Sequence, residues 1–396
     1  MKKILILGAG IYQVPLIKTA KRLGIYTIVA SIPGDYPGFE LADKVYYENT
    51  TDYAKILSIA RRETIDGIIT TGTDVAVITI GRVCDTLGLT GLGFKSAEIA
   101  TDKLLMKSCY EKYGVRTARF RKIGFDDDDY AAKLQDLEFP VMFKSVDSSG
   151  SRGITKVNAP EEFEKARNNV LENTRSNYFI VEEFIDGEEF GAQAFVRNGE
   201  VQFILPHGDY VFKGDTGVPV GHFAPYALSP ETEEDAAHQL RMAIQAMGLD
   251  NCAINADFIM RDGKTYVLEI GGRSGATCLA ELVSIYYGYD YYEKILLTAL
   301  GEEVDFPEPA NGEAGVPNAS MLLMSDKDGV IVSQANNNPE DPDIVEVQFD
   351  YEPGHEVRKF RVGPHRIGHV ITKGKSLDDA VSLLHKALDN IDIEVE

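Results

Sequence analysis

Asp257 and Glu269 stand in a segment that reads as two strands joined at an Asp-Gly turn: Asn255-Ala-Asp257-Phe-Ile-Met-Arg-Asp262-Gly263-Lys-Thr-Tyr-Val-Leu-Glu269-Ile-Gly-Gly-Arg273. An acid on each strand of a hairpin can hold Mg²⁺ against a polyphosphate, and the arginine can place positive charge beside a transferring group. A surface hairpin with two solvated acids and a salt-bridging arginine would carry the same residue types. Register separates the two readings. A two-residue turn at Asp262-Gly263 pairs Asp257 with Leu268 and turns Glu269 to the opposite face. A three-residue loop with Gly263 in the left-handed conformation shifts the register by one and brings both acids to one face. A shared metal therefore predicts an odd loop.

Three other segments could meet a nucleotide. Lys144 ends an apolar run just before Ser148-Ser149-Gly150-Ser151-Arg152-Gly153, where small residues let backbone amides approach phosphate oxygens and the lysine adds charge. No Gly-Lys-Ser/Thr ending of a Walker loop is present, and an ordinary hairpin loop has the same composition. Val181-Glu182-Glu183-Phe184-Ile185-Asp186-Gly187-Glu188-Glu189 places acids inside an apolar strand, where burial is costly without partners. Such a strand suits an adenine edge, and it also suits a sheet edge blunted by solvated glutamates. Gly8-Ala-Gly10 stands at a strand–helix turn, where backbone amides can meet an anion. It is not a dinucleotide fingerprint, because Gln13 replaces the third glycine and no acid follows the second strand at Ala30-Ser31.

The elements that must position these groups alternate. Lys3–Leu7, Tyr26–Ala30 and residues 67–71 read as strands, and Val14–Leu23 and Tyr53–Arg62 as helices, the rhythm of an α/β fold with a parallel sheet. Further helices are expected at Leu104–Tyr113 and Glu231–Met247, and strands at Pro140–Val146 and Tyr178–Phe184. After Gly301, linker-like Pro- and Asn-rich stretches precede strands near Ser320 and Asp343. The chain has 396 residues, room for two or three domains, and 62 acidic against 40 basic residues give a net charge of −22. That balance disfavours nucleic acid and anionic membrane as partners. No apolar run is long enough to span a membrane. Four cysteines (Cys84, Cys109, Cys252 and Cys278) lack paired metal spacing and suit a reducing cytoplasm.

The order Lys103, Lys144, small-residue loop, Glu-Glu-Phe-Ile, Asp257, Glu269, Arg273 resembles the ATP-grasp superfamily, especially the branch with biotin carboxylase, D-alanine–D-alanine ligase and glycinamide ribonucleotide ligases. The resemblance implies an N-terminal Rossmann-like domain over residues 1–100 and an ATP-grasp domain over 101–300. A lid would occupy about 114–187 and a small C-terminal domain 301–396. It implies ATP and Mg²⁺ (or Mn²⁺) as cofactors, with Lys103 and Lys144 on the phosphates and Ser148, Ser149, Gly150, Ser151 and Gly153 in the closing loop. Glu182, Glu183, Phe184 and Ile185 would meet adenine, Glu189 the ribose, Asp257 and Glu269 the metal, and Arg273 an acyl phosphate. The activity implied is ligation of a small-molecule carboxylate to an amine. A bicarbonate-activating carboxylase and a non-catalytic nucleotide-binding regulator are the alternatives, and a homodimer is one expected assembly. One departure stands out: the family commonly has asparagine where this chain has Gly271, so either a second Mg²⁺ is held more weakly or another group such as Asn255 contributes. His207, Asp209 and His222, between the adenine segment and the acidic hairpin, are candidates to line an acceptor pocket.

Overall fold

Continuous apolar runs joined through amphipathic helices bury themselves by pairing in parallel. In the computed structural model, which describes residues 1–127, 129–148, 150, 152–214, 217–309 and 315–396, β1 (Lys3–Leu7), β2 (Tyr26–Ser31), β3 (Lys44–Tyr47) and β4 (Gly67–Ile69) form a parallel sheet in the order β3-β2-β1-β4. Helix Val14–Arg22 buries Leu16, Ile17, Thr19 and Ala20. β3 was not expected. It is short, partly exposed and lies at the sheet edge, so its sequence carries little apolar signal.

The first strand–helix turn differs from its expected use. Gln13 is buried, its Oε1 accepts from the Gly10 amide at 3.0 Å, and its Nε2 donates to the Thr71 carbonyl at 2.5 Å. A Cβ at Gly8, whose φ is +102°, would lie 2.8 Å from Gln13 Oε1. The glutamine therefore takes the amide that an anion would have used.

The chain divides into two compact units: residues 1–76, 205–227 and 274–396, and residues 77–204 with 228–273. In the second unit β5 (Phe120–Gly124), β6 (Val141–Ser145), β7 (Ile154–Val157) and β8 (Tyr178–Glu183) form an antiparallel sheet in the order β5-β8-β6-β7. Phe143, Phe163, Phe179 and Val181 fill the core between this sheet and helix Phe163–Glu172. Next along the chain come β9 (Glu188–Arg197), β10 (Glu200–Val211), β11 (Pro219–Ala224), helix Pro230–Met247, β12 (Cys252–Arg261) and β13 (Lys264–Gly271). β12 pairs antiparallel with β9 on one side and β13 on the other.

The rest of the first unit is also antiparallel. It comprises helices Leu279–Tyr287 and Tyr291–Ala299, then β14 (Asn318–Met324), β15 (Gly329–Asn336), β16 (Ile344–Phe349), β17 (Glu356–Val357), β18 (Arg366–Lys373), helix Leu377–Asp389 and β19 (Ile391–Val395). The order is β11-β14-β18-β16, with residues 208–211 of β10 along β11. Leu384 and Ala387 of the last helix pack on Ala319, Leu323 and Val370. Among the described residues no helix is long and apolar enough to cross a membrane. The four cysteines are free thiols, and three of them (Cys84, Cys252 and Cys278) are buried.

Candidate active site

Asp262 and Gly263 both have positive φ, +52° and +71°, and Arg261 pairs with Lys264. This is a two-residue turn of the primed kind, which matches the twist of the flanking strands. The expected odd loop is therefore absent. The register is corrected further along instead. Phe258 pairs with Val267 but Asp257 pairs with Glu269, so Leu268 is the extra residue of a β-bulge. The bulge does what the loop was expected to do and turns both acids to one face.

Cross-strand pairing extends that face over three strands. Gly191 of β9 lies opposite Asp257, Gln193 opposite Asn255, and Asn255 opposite Gly271. Glu189 follows on the same face by alternation. The side chain missing at Gly271 thus has Asn255 directly across from it. Asn255 Oδ1 accepts from Gln193 Nε2 at 2.6 Å, which fixes the amide orientation. Two carboxylates and an amide oxygen form an all-oxygen donor set of the kind that suits Mg²⁺.

Helix Lys103–Tyr113 brings in the cations. Asp102 caps it by accepting from the amides of Leu104 and Leu105 at 2.8 and 3.0 Å. Lys103, Met106, Lys107 and Tyr110, at i, i+3, i+4 and i+7, make up its buried face. Lys103 Nζ donates to Glu269 Oε1 at 3.2 Å and to the Ser148 carbonyl at 2.7 Å. Tyr110 is fully buried, and among the described residues its hydroxyl has no hydrogen-bond partner. Burial, with the charges of Glu269, Cys109 and Asp257, raises its pKa well above the phenol range. A neutral hydroxyl within the field of both acids is available as a donor.

Glu182, near the end of β8, has its carboxylate paired with lysines. Its carboxylate is 1% exposed and sits between two ammonium groups, with Lys107 Nζ 2.9 Å from Oε2 and Lys144 Nζ bonded to Oε1. Burial would raise its pKa, but the two lysines outweigh it and hold the acid down at about 2. The Glu182 side chain is therefore committed to the lysines and is not free for an adenine edge. Burial pulls Lys107 below the ordinary lysine range. For Lys144 burial acts the same way, but Glu182, Glu269 and Glu189 together prevail and raise it. Lys107 was not singled out from the sequence, although a second lysine one turn after Lys103 in the stripe of Met106 and Tyr110 was a readable signal.

Beyond Glu182 the backbone is the feature of interest. The Glu183 and Phe184 amides donate to the Arg119 and Pro140 carbonyls, each at 2.9 Å. Among the described residues the Ile185 amide makes no hydrogen bond. The ring of Phe184 has Lys156 Nζ 3.4 Å from its centroid. Glu189 is exposed at the start of β9. In the loop after Lys144, Gly150 and Gly153 both have φ near +66°, and the Ser145 amide donates to the Gly153 carbonyl at 3.0 Å. The Ser148 hydroxyl donates to the Asn173 carbonyl. Ser149 and Ser151 lie outside the described residues. Arg273 is half-buried, two residues beyond the end of β13.

These features have counterparts in known proteins. Residues 137–281 match the family described as ATP-grasp domain, and residues 321–396 the family described as L-amino acid ligase C-terminal domain 2. The crystal structure of phosphoribosylglycinamide synthetase from Anaerococcus prevotii is 35% identical, covers 100% of both chains and superposes with a TM-score of 0.85. The L-amino acid ligase from Bacillus licheniformis is 19% identical over 100% of this chain and 99% of its own, with a TM-score of 0.81, which shows a shared fold. Alanine–anticapsin ligase of Bacillus subtilis is 24% identical over 300 residues, 68% of this chain, and the match spans 63% of that enzyme's length. With an end-to-end relative at 35% identity and the bulged acidic hairpin in place, the chain belongs to the ATP-grasp superfamily.

Proposed function

We propose that this protein is an ATP-dependent ligase that activates a small-molecule carboxylate as its acyl phosphate and joins it to an amine, releasing ADP and phosphate. The observation that carries the reading is the Asp257–Glu269 pair on one face, with Lys103 on Glu269 and the Lys107–Glu182–Lys144 group in the same unit. Mg²⁺ (or Mn²⁺) bound by Asp257 and Glu269 would neutralise phosphate charge. Asn255 stands in for the asparagine missing at Gly271. Lys144 and Lys103 bind the polyphosphate, and each close ion pair contributes about 4 kcal/mol at 4 Å in an effective dielectric near 20. The unbonded Ile185 amide is offered to an adenine ring nitrogen, and Glu189 to the ribose. The loop from Ser148 to Gly153 excludes water, which would otherwise hydrolyse an activated acyl group.

ADP release screened across carboxylate and amine pairs, with mass spectrometry of the products, tests the reaction class. An amide product that needs both partners is expected. Bicarbonate-dependent ATP hydrolysis without an amine would replace this reading with a carboxylase. The metal assignment has its own test. Asp257→Asn removes one of two charges and should raise the Mg²⁺ concentration needed for ATP binding by about tenfold or more, since ligand charge sets the affinity of oxygen sites. Asn255→Ala should raise it less, because a neutral donor is lost. Unchanged Mg²⁺ dependence in Asp257→Asn would remove that residue from the site.

A further inference from the structure

Outside that site, the first unit gathers two histidines and an aspartate on one sheet face. Asp209 of β10 lies directly opposite His222 of β11, and His207 precedes Asp209 by two residues, so all three side chains leave the same face. His207 Nδ1 is 3.0 Å and His222 Nδ1 2.6 Å from the same atom, Asp209 Oδ1. One ligand atom from each residue lies within 4.8 Å of the other two. The imidazoles are only 2% and 3% exposed, while the aspartate side chain keeps 27% of its surface open. The cluster is thus walled by protein and open on the carboxylate side.

A second observation on the same face concerns a neighbouring strand. Ser320 of β14 pairs with His222, which places the two Cβ atoms about 5 Å apart on one face. Ser320 is 1% exposed, and among the described residues its hydroxyl has no hydrogen-bond partner. Leaving a buried hydroxyl unpaired costs about 1–3 kcal/mol. Gly208, between the two β10 ligands, is required by packing: a Cβ there would lie 2.0 Å from the Phe223 ring, which spans the opposite face.

We propose that His207, Asp209 and His222 form a binding site for a divalent transition-metal ion of the Zn²⁺ class, with the Ser320 hydroxyl beside its open coordination position. In the arrangement present Asp209 Oδ1 can accept from both Nδ1–H groups, and moving each proton to Nε2 turns the three residues into electron-pair donors that one cation can share. Metal–ligand bonds of about 2.0–2.1 Å set tetrahedral donor separations near 3.3 Å, so the imidazoles would have to draw back from the carboxylate by about 0.3 Å at His207 and about 0.7 Å at His222. Two imidazoles select Zn²⁺, Fe²⁺ or Ni²⁺ over the Mg²⁺ that an all-oxygen set prefers. Three protein ligands leave a position for water or a carboxylate oxygen, with Ser320 placed to hydrogen-bond it. The inference does not depend on the ligase reading.

The test uses the full-length chain after dialysis against EDTA, in a Glu269→Gln background to silence the acidic hairpin, titrated with Zn²⁺ against a chromophoric chelator. One equivalent should bind. Asp209→Asn and His222→Gln should each weaken binding by about 100-fold, the top of the range for losing an outer-shell partner alone. Co²⁺ should give visible ligand-field bands without thiolate charge transfer. Absence of saturable Zn²⁺ binding, or parent-like binding by both variants, overturns the proposal. Should the variants fail to fold, X-ray absorption of the Zn²⁺-loaded parent decides. A shell of nitrogen and oxygen with imidazole scattering supports the site, and a sulfur shell from the cysteines overturns it.

Discussion

Glu182→Gln should destabilise the protein by about 3–5 kcal/mol, the range for removing one partner of a buried ion pair. The substitution is nearly isosteric, so the loss is electrostatic. It leaves Lys107 and Lys144 buried around an amide, each facing the other's charge with no carboxylate between. Lys107→Met in the same chain should recover most of the loss, because a single lysine beside a neutral glutamine is no longer opposed. Acid titration gives the sign. The Glu182 pKa, about 2 in the folded protein, lies below its ordinary value of 4.5. Its contribution is then fully present above about pH 4.5 and is lost as pH falls through about 2. Burial pulls Lys107 down, and that cost offsets part of the gain while the lysine is charged. The stability gap between parent and variant, read from urea midpoints, should therefore narrow from pH 5 towards pH 2. A constant gap over that range would show that Glu182 is not ionised in its lysine nest.

The residues of that nest mark what the sequence disclosed and what it hid. Strands such as Lys3–Leu7 and Tyr178–Glu183 and helices such as Val14–Arg22 and Pro230–Met247 appear within a residue or two of their expected limits. Long apolar periodicity is local information, and it needs no knowledge of partners. The shared face of Asp257 and Glu269 was foreseen but by the wrong device. A bulge at Leu268 inserts one residue without any compositional mark, whereas a turn advertises itself through Asp-Gly. Glu182 was singled out as an acid in an apolar strand. Its partners come from a helix 75 residues earlier and a neighbouring strand, so only tertiary pairing could show that it answers two lysines. Gln13 was counted as a missing glycine, but its side chain fills the turn that the glycine would have left open. His207, Asp209 and His222 stand out in the sequence only by lying between the adenine segment and the acidic hairpin. Their convergence depends on the β10–β11 register, which a loop of unassigned length does not reveal.

Arg273→Ala should lower turnover by roughly 100-fold, about 2.7 kcal/mol in the barrier, while ATP affinity changes little. The argument starts from the backbone that delivers the arginine. Gly271 ends β13 opposite Asn255, and a Cβ at Gly272 would lie 2.8 Å from Leu92 Cδ2, so the chain is pinned just before the arginine. That pinning holds Arg273 half-buried, four residues beyond Glu269 and two beyond the end of β13. In the proposed reaction a guanidinium held there would meet charge that grows on the transferring phosphoryl and acyl oxygens. Its contribution would then be larger in the transition state than in the bound substrate, so its loss should lower turnover without weakening the complex. Arg273→Lys should rescue little, because an ammonium lacks the planar fork that meets two oxygens at once. The measurement needs an acid and amine pair that supports ADP release, then turnover and ATP affinity for parent and both variants. A loss of affinity equal to the loss of turnover would make Arg273 a ground-state phosphate contact. Parent-like turnover in both variants would make it a structural ion-pair residue and leave the acyl phosphate without its cation.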